Sequence, residues 1–296
     1  MTVSVPAYAK INLFLDIKSL RDDGYHNIIS YMQSVSLADK VTVSYVPSAS
    51  KTITVSCNNS AVPLSKDNLA YKAADIFPSI CGDINISIEK NIPMEAGLAG
   101  GSSDAAATLV ALNSLSGNTL SENELIALGA KLGADVPFCI KGGAAIAEGV
   151  GEILAPAPSM PYFPIVIAKK GEGMSTPAAY KSLDQKYNKF IEYEPHTGKM
   201  ELLLSSQGRA DAESFSKGLF NVFEAVVEEQ RSDVTTIKTV MTANGAVGAM
   251  MSGSGTSVFG LFKNEECAQK ALLALKAHGA DAYLCYPVKQ QKNPHR

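Results

Sequence analysis

The chain between Pro93 and Leu109 reads PMEAGLAGGSSDAAATL, and this is the most informative stretch of the sequence. The residues before it, 84–89, alternate apolar and polar as a strand does, and the alanine-rich residues 102–115 predict a helix. Three glycines lie within residues 97–101. Glycine lets backbone N–H groups approach an anion closely, and the helix start adds unpaired N–H groups and the positive end of its dipole. The stretch therefore predicts a phosphate-binding loop and phosphoryl transfer.

Other nucleotide loops do not fit this sequence. No Gly-Lys-Ser/Thr follows, so the loop is not a Walker A loop, and it lacks the G-x-G-x-x-G pattern of dinucleotide-binding folds. A purely structural turn between a strand and a helix is the alternative. The two hydroxyls and the small-residue helix behind the glycines favour a nucleotide triphosphate as the ligand.

The composition excludes several classes of protein. The chain has 296 residues, 46% of them hydrophobic and 19% charged, as in an ordinary globular protein, and its net charge of −3 does not suggest nucleic-acid binding. The five cysteines form no C-x-x-C pair and the four histidines lack metal-ligand spacing, so neither a zinc site nor a disulfide framework is expected. A cytoplasmic location fits these cysteines, and residues 1–10 do not resemble an export signal.

The pattern of strands and helices predicts an α+β protein with two domains. Prolines cluster between Leu154 and Ile165, which places a domain boundary there, with domains over 1–157 and 158–296. The first half predicts strands at 11–17, 41–46, 52–55 and 84–89 and helices at 68–77, at 102–115 and from Ser121 onward. The second half predicts strands at 165–168 and 282–288, a strand–turn–strand over 245–262, helices at 177–183, 215–229, 234–243 and 265–278, and a weakly patterned loop over 185–211.

Asp135 is the acid that the sequence singles out for chemistry. It is the one acid between Ala130 and Ile146, and its neighbours are apolar. A carboxylate in such surroundings is either paired or functional. A helix-capping aspartate before Pro137 is the alternative.

Lys10 is the second candidate, because it enters a strand between Ala9 and Ile11. A lysine in apolar surroundings needs a partner, and an ion pair with Asp135 would satisfy both charges and favour the alkoxide of an alcohol placed between them. An edge lysine whose ammonium reaches water is the alternative. Tyr25 and His26 follow a polar turn, where a tyrosine and a histidine can hold an aromatic ring or simply pack on the domain.

Four motifs in order resemble those of the GHMP small-molecule kinases over nearly the whole chain. These are Ala9–Leu13 with Asp23–His26, Pro93–Ser103, Gly133–Pro137 and Met251–Gly255. The first pair is similar to the members that phosphorylate a cytidyl diphosphate sugar alcohol in the non-mevalonate isoprenoid pathway. The resemblance implies a two-domain fold, with an N-terminal half like ribosomal protein S5 domain 2 and a ferredoxin-like C-terminal half.

The resemblance also implies the cofactors and the role of each site residue. ATP and Mg²⁺ would be used, with Asp135 as the general base on the substrate's tertiary hydroxyl and Lys10 as its charge partner. Substrate contacts would come from Asn12, Tyr25, His26, Asp135, Thr176 and Tyr180, the last on the other face of the cytosine. ATP contacts would come from Asn68, Leu69, Pro93, Met94, Glu95, Ala96, Gly97, Leu98, Ala99, Gly100, Gly101, Ser102 and Ser103.

Two matters stay open at this point. Glu95 and Ala99 replace residues that are glycine or small in many members, and an acid beside a polyphosphate is unfavourable unless it points outward or helps hold the metal. No magnesium ligand can be assigned, although Ser102 is the best hydroxyl by analogy with other nucleotide loops. The alternatives are another kinase of the family, of homoserine or mevalonate type, or a non-catalytic nucleotide-binding regulator. The Tyr25–His26 segment argues against the first, and the presence of Asp135 and Lys10 against the second.

Overall fold

The structure is a computed structural model that describes residues 1–78, 80–190, 193–206 and 211–290. Its strands are β1 (Thr2–Leu20), β2 (His26–Pro47), β3 (Thr52–Cys57), β4 (Gly82–Glu89), β5 (Ala144–Gly149), β6 (Ile153–Pro156), β7 (Ile165–Lys169), β8 (Phe220–Asn221), β9 (Ala246–Met251), β10 (Val258–Phe262) and β11 (Asp281–Cys285). Its α-helices are α1 (Leu69–Ile76), α2 (Gly100–Leu115), α3 (Glu122–Ala130), α4 (Val136–Lys141), α5 (Thr176–Lys186), α6 (Thr197–Ser205), α7 (Ala212–Ser216), α8 (Glu224–Gln230), α9 (Ser232–Ala243) and α10 (Glu265–Ala277).

The chain forms two compact units. Unit 1 comprises Met1–Ala9, Ala38–Pro93 and Ala99–Gly142, and unit 2 comprises Lys10–Leu37, Met94–Leu98 and the described residues from Gly143 onward. Neither unit is a continuous stretch, because β1 and β2 each contribute residues to both. The division into domains at residue 157 stays a prediction.

Unit 1 packs its helices against one face of a sheet. The sheet order is β3, β4, β2 and β1, with β4 antiparallel to β2 and parallel to β3. Burial alternates residue by residue along β4, which is the period-two pattern that predicted this strand. Its buried isoleucines pack with the alanines and leucines of α2 in one apolar cluster. The predicted helix 68–77 is confirmed as α1, and Ser121 and Glu124 form the predicted capping box of α3.

Unit 2 contains an antiparallel sheet of order β11, β7, β10 and β9. In the same unit, β2 pairs with β5, and β5 pairs with β6. Strand β1 pairs with β8. The strand–turn–strand over 245–262 is confirmed as β9 and β10. No helix within the described ranges combines the length and apolar character that crossing a membrane requires.

Two predictions about unit 2 are wrong. The helix predicted over 215–229 is interrupted, because Gly218 packs so closely on α6 that a Cβ there would lie 2.6 Å from Leu203 Cγ. Asn221 then continues as β8, and its amide donates to the carbonyls of Met251 and Gly253 at 2.7 and 2.9 Å. The loop predicted over 185–211 contains a short 3-10 turn (Asn188–Phe190) and α6, while residues 191, 192 and 207–210 lie outside the described residues.

Candidate active site

The helical half of the phosphate loop belongs to unit 1. Ala99 takes a left-handed backbone conformation (φ 58°) immediately before α2, and no side chain caps the helix start. The first N–H groups of α2 therefore remain available to an anion. The Ser103 hydroxyl donates to the carbonyl of Tyr8 at 2.6 Å and is buried, whereas Ser102 is partly exposed. Of the two hydroxyls, Ser102 is the one accessible to a ligand.

A buried charge network lies beneath this helix start, and sequence reasoning missed it. Lys90 Nζ lies 2.8 Å from Asp104 Oδ2 and also pairs with Asp39, and all three side chains are almost fully buried. Burial raises the pKa of Asp104 to about 7, with Lys90 opposing the rise and the Asp39 carboxylate adding to it. A Cβ on Gly100 would lie 2.9 Å from Lys90 Nζ, so the glycine lets the helix start approach this network. An acid on the buried, alanine-rich face of α2 was the signal that a cation must lie nearby.

The start of α1 lies beside the phosphate loop in unit 1. Asn68 caps this helix, since its Oδ1 accepts from the Ala70 amide at 2.8 Å while its Nδ2 donates to the Pro63 carbonyl at 2.7 Å. A Cβ on Gly101 would lie 3.7 Å from Leu69 Cδ1. The structure therefore brings Leu69 next to the loop, and Asn68 fixes the helix that carries it.

Asp135 stands where a helix cap would stand but does not act as one. It is the N-cap residue of α4 and precedes Pro137 in the first turn, yet its side chain makes no capping hydrogen bond. The capping alternative that the sequence left open therefore finds no support in the structure. Lys10 lies in unit 2, and its pairing with Asp135 stays a prediction.

The first half of the phosphate loop, Met94–Leu98, belongs to unit 2 and is held there by backbone contacts. The Leu98 carbonyl accepts from the Lys10 amide at 3.1 Å, and the Gly97 carbonyl accepts from the Ser252 hydroxyl at 3.0 Å. Gly97 has a φ of 71°, and a Cβ on it would lie 2.0 Å from the Ser252 carbonyl oxygen. Ser252 and the Gly-Ser-Gly turn that follows it (residues 253–255) thus support this half of the loop.

Glu95 is exposed and has a compensating positive charge. Lys169 donates to the Met94 carbonyl at 2.5 Å, and burial lowers the pKa of this lysine while the Glu95 carboxylate opposes the shift. Glu95 itself has a positive φ of 47°. Of the two arrangements that the sequence left open for Glu95, pointing outward or helping to hold the metal, its exposure and its interaction with Lys169 favour the first.

Lys10 and Asn12 begin a chain of buried hydrogen bonds in unit 2. Lys10 Nζ donates to Asn12 Oδ1 at 2.7 Å, Asn12 Nδ2 donates to the Ser30 hydroxyl at 2.8 Å, and that hydroxyl donates to the Phe14 carbonyl at 2.7 Å. The Asn12 amide also donates to Ser252 Oγ at 3.3 Å. The edge-lysine alternative is wrong, because Lys10 is only 4% exposed.

The structure brings His26 and Tyr180, two of the predicted substrate-binding residues, into direct contact. Their rings stack with centroids 4.7 Å apart, and Tyr25 beside them is 65% exposed. His26 Nε2 lies 2.7 Å from Asp184 Oδ1, a partner that sequence reasoning missed. Tyr180 and Asp184 both lie on α5, and Thr176 is the first residue of this helix. The Thr176 Oγ1 lies 2.9 Å from Ser254 Oγ in the Gly-Ser-Gly turn.

Two models of one known family match the chain. The family model described as GHMP kinases N terminal domain matches residues 68–143, and the one described as GHMP kinases C terminal matches residues 200–281. The chain belongs to the GHMP kinase family. It is a small-molecule kinase that uses ATP, and the two-domain α+β fold expected from the resemblance is confirmed.

Relatives within the GHMP kinases share most of the chain. The 4-diphosphocytidyl-2-C-methyl-D-erythritol kinase of Caldicellulosiruptor saccharolyticus is 43% identical over 91% of this chain and 91% of its own length. The protein of the same name from Clostridium novyi is 42% identical over 94% of this chain and 97% of its own. A crystal structure of 4-(cytidine 5'-diphospho)-2C-methyl-D-erythritol kinase superposes with a TM-score of 0.79 at 33% identity, covering 96% of this chain and 99% of that one.

Proposed function

We propose that this kinase transfers the γ-phosphoryl group of ATP to the 2-hydroxyl of 4-diphosphocytidyl-2-C-methyl-D-erythritol, a reaction of the non-mevalonate route to isoprenoid precursors. The observation that carries the proposal is the His26–Tyr180 stack with Tyr25 exposed beside it. An acceptor with no aromatic ring, such as homoserine or mevalonate, gives no reason for this arrangement. The identity to the two named relatives supports the same substrate.

The proposed reaction needs one proton transfer and one phosphoryl transfer. Asp135 takes the proton of the acceptor hydroxyl, whose oxygen attacks the γ-phosphorus as the bond to the leaving ADP breaks. Lys10, held by Asn12, favours the anionic form of the attacking oxygen. The unpaired N–H groups at the start of α2 stabilise the phosphate oxygens.

Magnesium fits this site without a dedicated protein cage. Within the described ranges no group of three or more His, Cys, Asp or Glu side chains could hold a metal. Mg²⁺ bound with a nucleotide keeps several waters and takes few protein ligands, so phosphate oxygens and the accessible Ser102 hydroxyl are sufficient. When bound, the ion neutralises charge that develops on the transferred phosphoryl group.

The cytosine ring is proposed to stack between Tyr25 and Tyr180 with His26 at its edge. Tyr180 already contacts His26 directly, so the base does not enter between those two rings. Asn12 and Thr176 contact the remainder of the substrate. The five free thiols support a reducing, cytoplasmic setting, and neither a nucleic acid nor a membrane is needed as a partner.

A coupled assay for ADP release tests this proposal, with ATP and magnesium fixed and three acceptors offered in turn. Turnover confined to the cytidyl acceptor, over homoserine and mevalonate, is expected. Turnover with homoserine or mevalonate instead would contradict the substrate assignment. ATP binding without turnover on any of the three acceptors would contradict the substrate assignment and favour another acceptor or the regulatory alternative.

A further inference from the structure

The His26 ring is held in one orientation by its neighbours in unit 2. The residue is only 6% exposed. Tyr180 stacks on its face at 4.7 Å and an interplanar angle of 28°, and Phe190 meets it edge-on at 5.6 Å and 77°. A ring packed on its face and at its edge has little freedom to turn, so its two nitrogens have different and fixed surroundings.

Asp184 determines which nitrogen carries the proton. Its Oδ1 lies 2.7 Å from His26 Nε2, and an ionised carboxylate can only accept, so Nε2 is the donor. Within the part of the chain that the structure describes, Nδ1 makes no hydrogen bond, and it is not among the enclosed polar atoms that lack one. Nδ1 is therefore open to a ligand, and in the neutral ring it is an acceptor.

An acceptor at this position distinguishes the two common pyrimidines. Cytosine presents an exocyclic amine, which can donate to Nδ1, whereas uracil presents a carbonyl oxygen there, which cannot. Resting on the proposed function, which puts a cytosine at the edge of His26, we propose that Asp184 is a positioning residue that makes the enzyme select cytidyl over uridyl acceptors. Asp184 lies one helical turn after Tyr180 on α5, so one face of this helix supplies both the stacking ring and the carboxylate.

Asp184→Ala tests the proposal by its effect on the preference of the enzyme for a cytidyl over a uridyl acceptor. We expect kcat/KM for the cytidyl acceptor, divided by that for its uridyl analogue, to fall at least about tenfold, the size expected when one hydrogen bond is no longer matched. The KM for ATP should not change. Asp184→Glu keeps a carboxylate and should restore part of the ratio. Glu266→Gln removes a surface carboxylate that pairs with Lys270 on α10, and it should leave every value unchanged.

A second readout does not depend on activity. Proton–nitrogen NMR of the ¹⁵N-histidine-labelled protein should show His26 with its proton on Nε2 in the wild type and a mixture of tautomers in Asp184→Ala. A proton on Nδ1 in the wild type, or a ratio that Asp184→Ala leaves unchanged, would overturn the inference. If the wild type phosphorylates no cytidyl acceptor, the proposed function fails instead, and the NMR result alone then decides whether Asp184 fixes the ring.

Discussion

At the scale of single residues, a substitution of Asp135 should lower the rate of the chemical step and leave ATP binding nearly unchanged. The Asp135 side chain makes no capping bond in α4, so an amide of the same shape should leave the helix intact. We expect Asp135→Asn to lower kcat by roughly 100-fold or more, the range for loss of a general base, while ATP affinity stays within about tenfold. Steady-state kinetics and equilibrium ATP binding measure the two effects.

Asp75→Asn is the matched control for this change, because Asp75 is exposed on α1. It should leave both quantities at their wild-type values. An Asp135→Asn protein that turns over at nearly the wild-type rate would rule out Asp135 as the base.

Asp104 gives a prediction about stability and pH. Burial raises its pKa to about 7 from the ordinary 3.8, so between these values the folded protein holds a proton that the unfolded chain has lost. The free energy of unfolding contributed by this group therefore falls as pH rises from about 4 to 7. Asp104→Asn has no such proton, so its stability relative to the wild type should improve between pH 5 and pH 8.

Urea unfolding of both proteins at the two pH values measures this difference. Asp75→Asn, which changes an exposed carboxyl, should track the wild type at both. A difference between Asp104→Asn and the wild type that is the same at pH 5 and pH 8 would show that Asp104 is ionised throughout.

At the scale of elements, the Met94–Leu98 half of the loop depends on one glycine. Gly97 has a positive φ, and a Cβ there would meet the Ser252 carbonyl oxygen at 2.0 Å, so Gly97→Ala must displace either the loop or the Gly-Ser-Gly turn. We expect the KM for ATP to rise about tenfold or more and the protein to lose about 2 kcal/mol or more of stability.

Gly117→Ala separates backbone strain from the steric clash. Gly117 has a φ of 81° but nothing within 4 Å of a new Cβ. It should cost about 1 kcal/mol of stability and leave the KM for ATP unchanged. If the two variants have the same KM for ATP, the close approach of Gly97 to Ser252 does not shape the loop.

Local sequence patterns predict some of the secondary-structure elements correctly and others not. The alternation along β4 and the capping box at Ser121 are local signals, and both predicted elements are present. The prediction of a helix over 215–229 is wrong because it rests on the spacing of apolar residues alone. That spacing does not show that Gly218 packs against Leu203, a residue outside the predicted helix. Strand β8, at Phe220–Asn221, depends on pairing with Phe14 and Leu15, far away in sequence.

The residues of the candidate site likewise fall into two groups, those with a local sequence signal and those that depend on contacts between distant parts of the chain. The loop, Asp135 and the Tyr25–His26 segment carry sequence signals of their own, so the sequence alone names them as candidates. The partners of Lys90 and of His26 could not be predicted, because Asp39 lies 51 residues from Lys90 and Asp184 lies 158 residues from His26. An isolated carboxylate in the sequence does not indicate which distant side chain it meets in the fold.

At the scale of the whole molecule, nucleotide binding and stability are linked. A ligand that binds only the folded protein adds about 2.7 kcal/mol to the free energy of unfolding at 100 times its Kd. We expect magnesium–ATP to stabilise the wild type by this amount, and Asp135→Asn equally, because the proposed base acts on the acceptor and not on the nucleotide. Urea unfolding with and without the nucleotide measures both values at one fixed concentration.

At the same nucleotide concentration Gly97→Ala should lose about half of that increment, because its defect lies in the loop that is proposed to hold the phosphates. A tenfold weaker affinity reduces the increment by about 1.4 kcal/mol, which unfolding curves resolve. The pair of variants therefore tests whether nucleotide binding depends on the loop and not on Asp135, by a measurement that needs no acceptor. If Asp135→Asn lost the increment as well, the carboxylate would take part in nucleotide binding, and its low turnover would no longer identify it as the base.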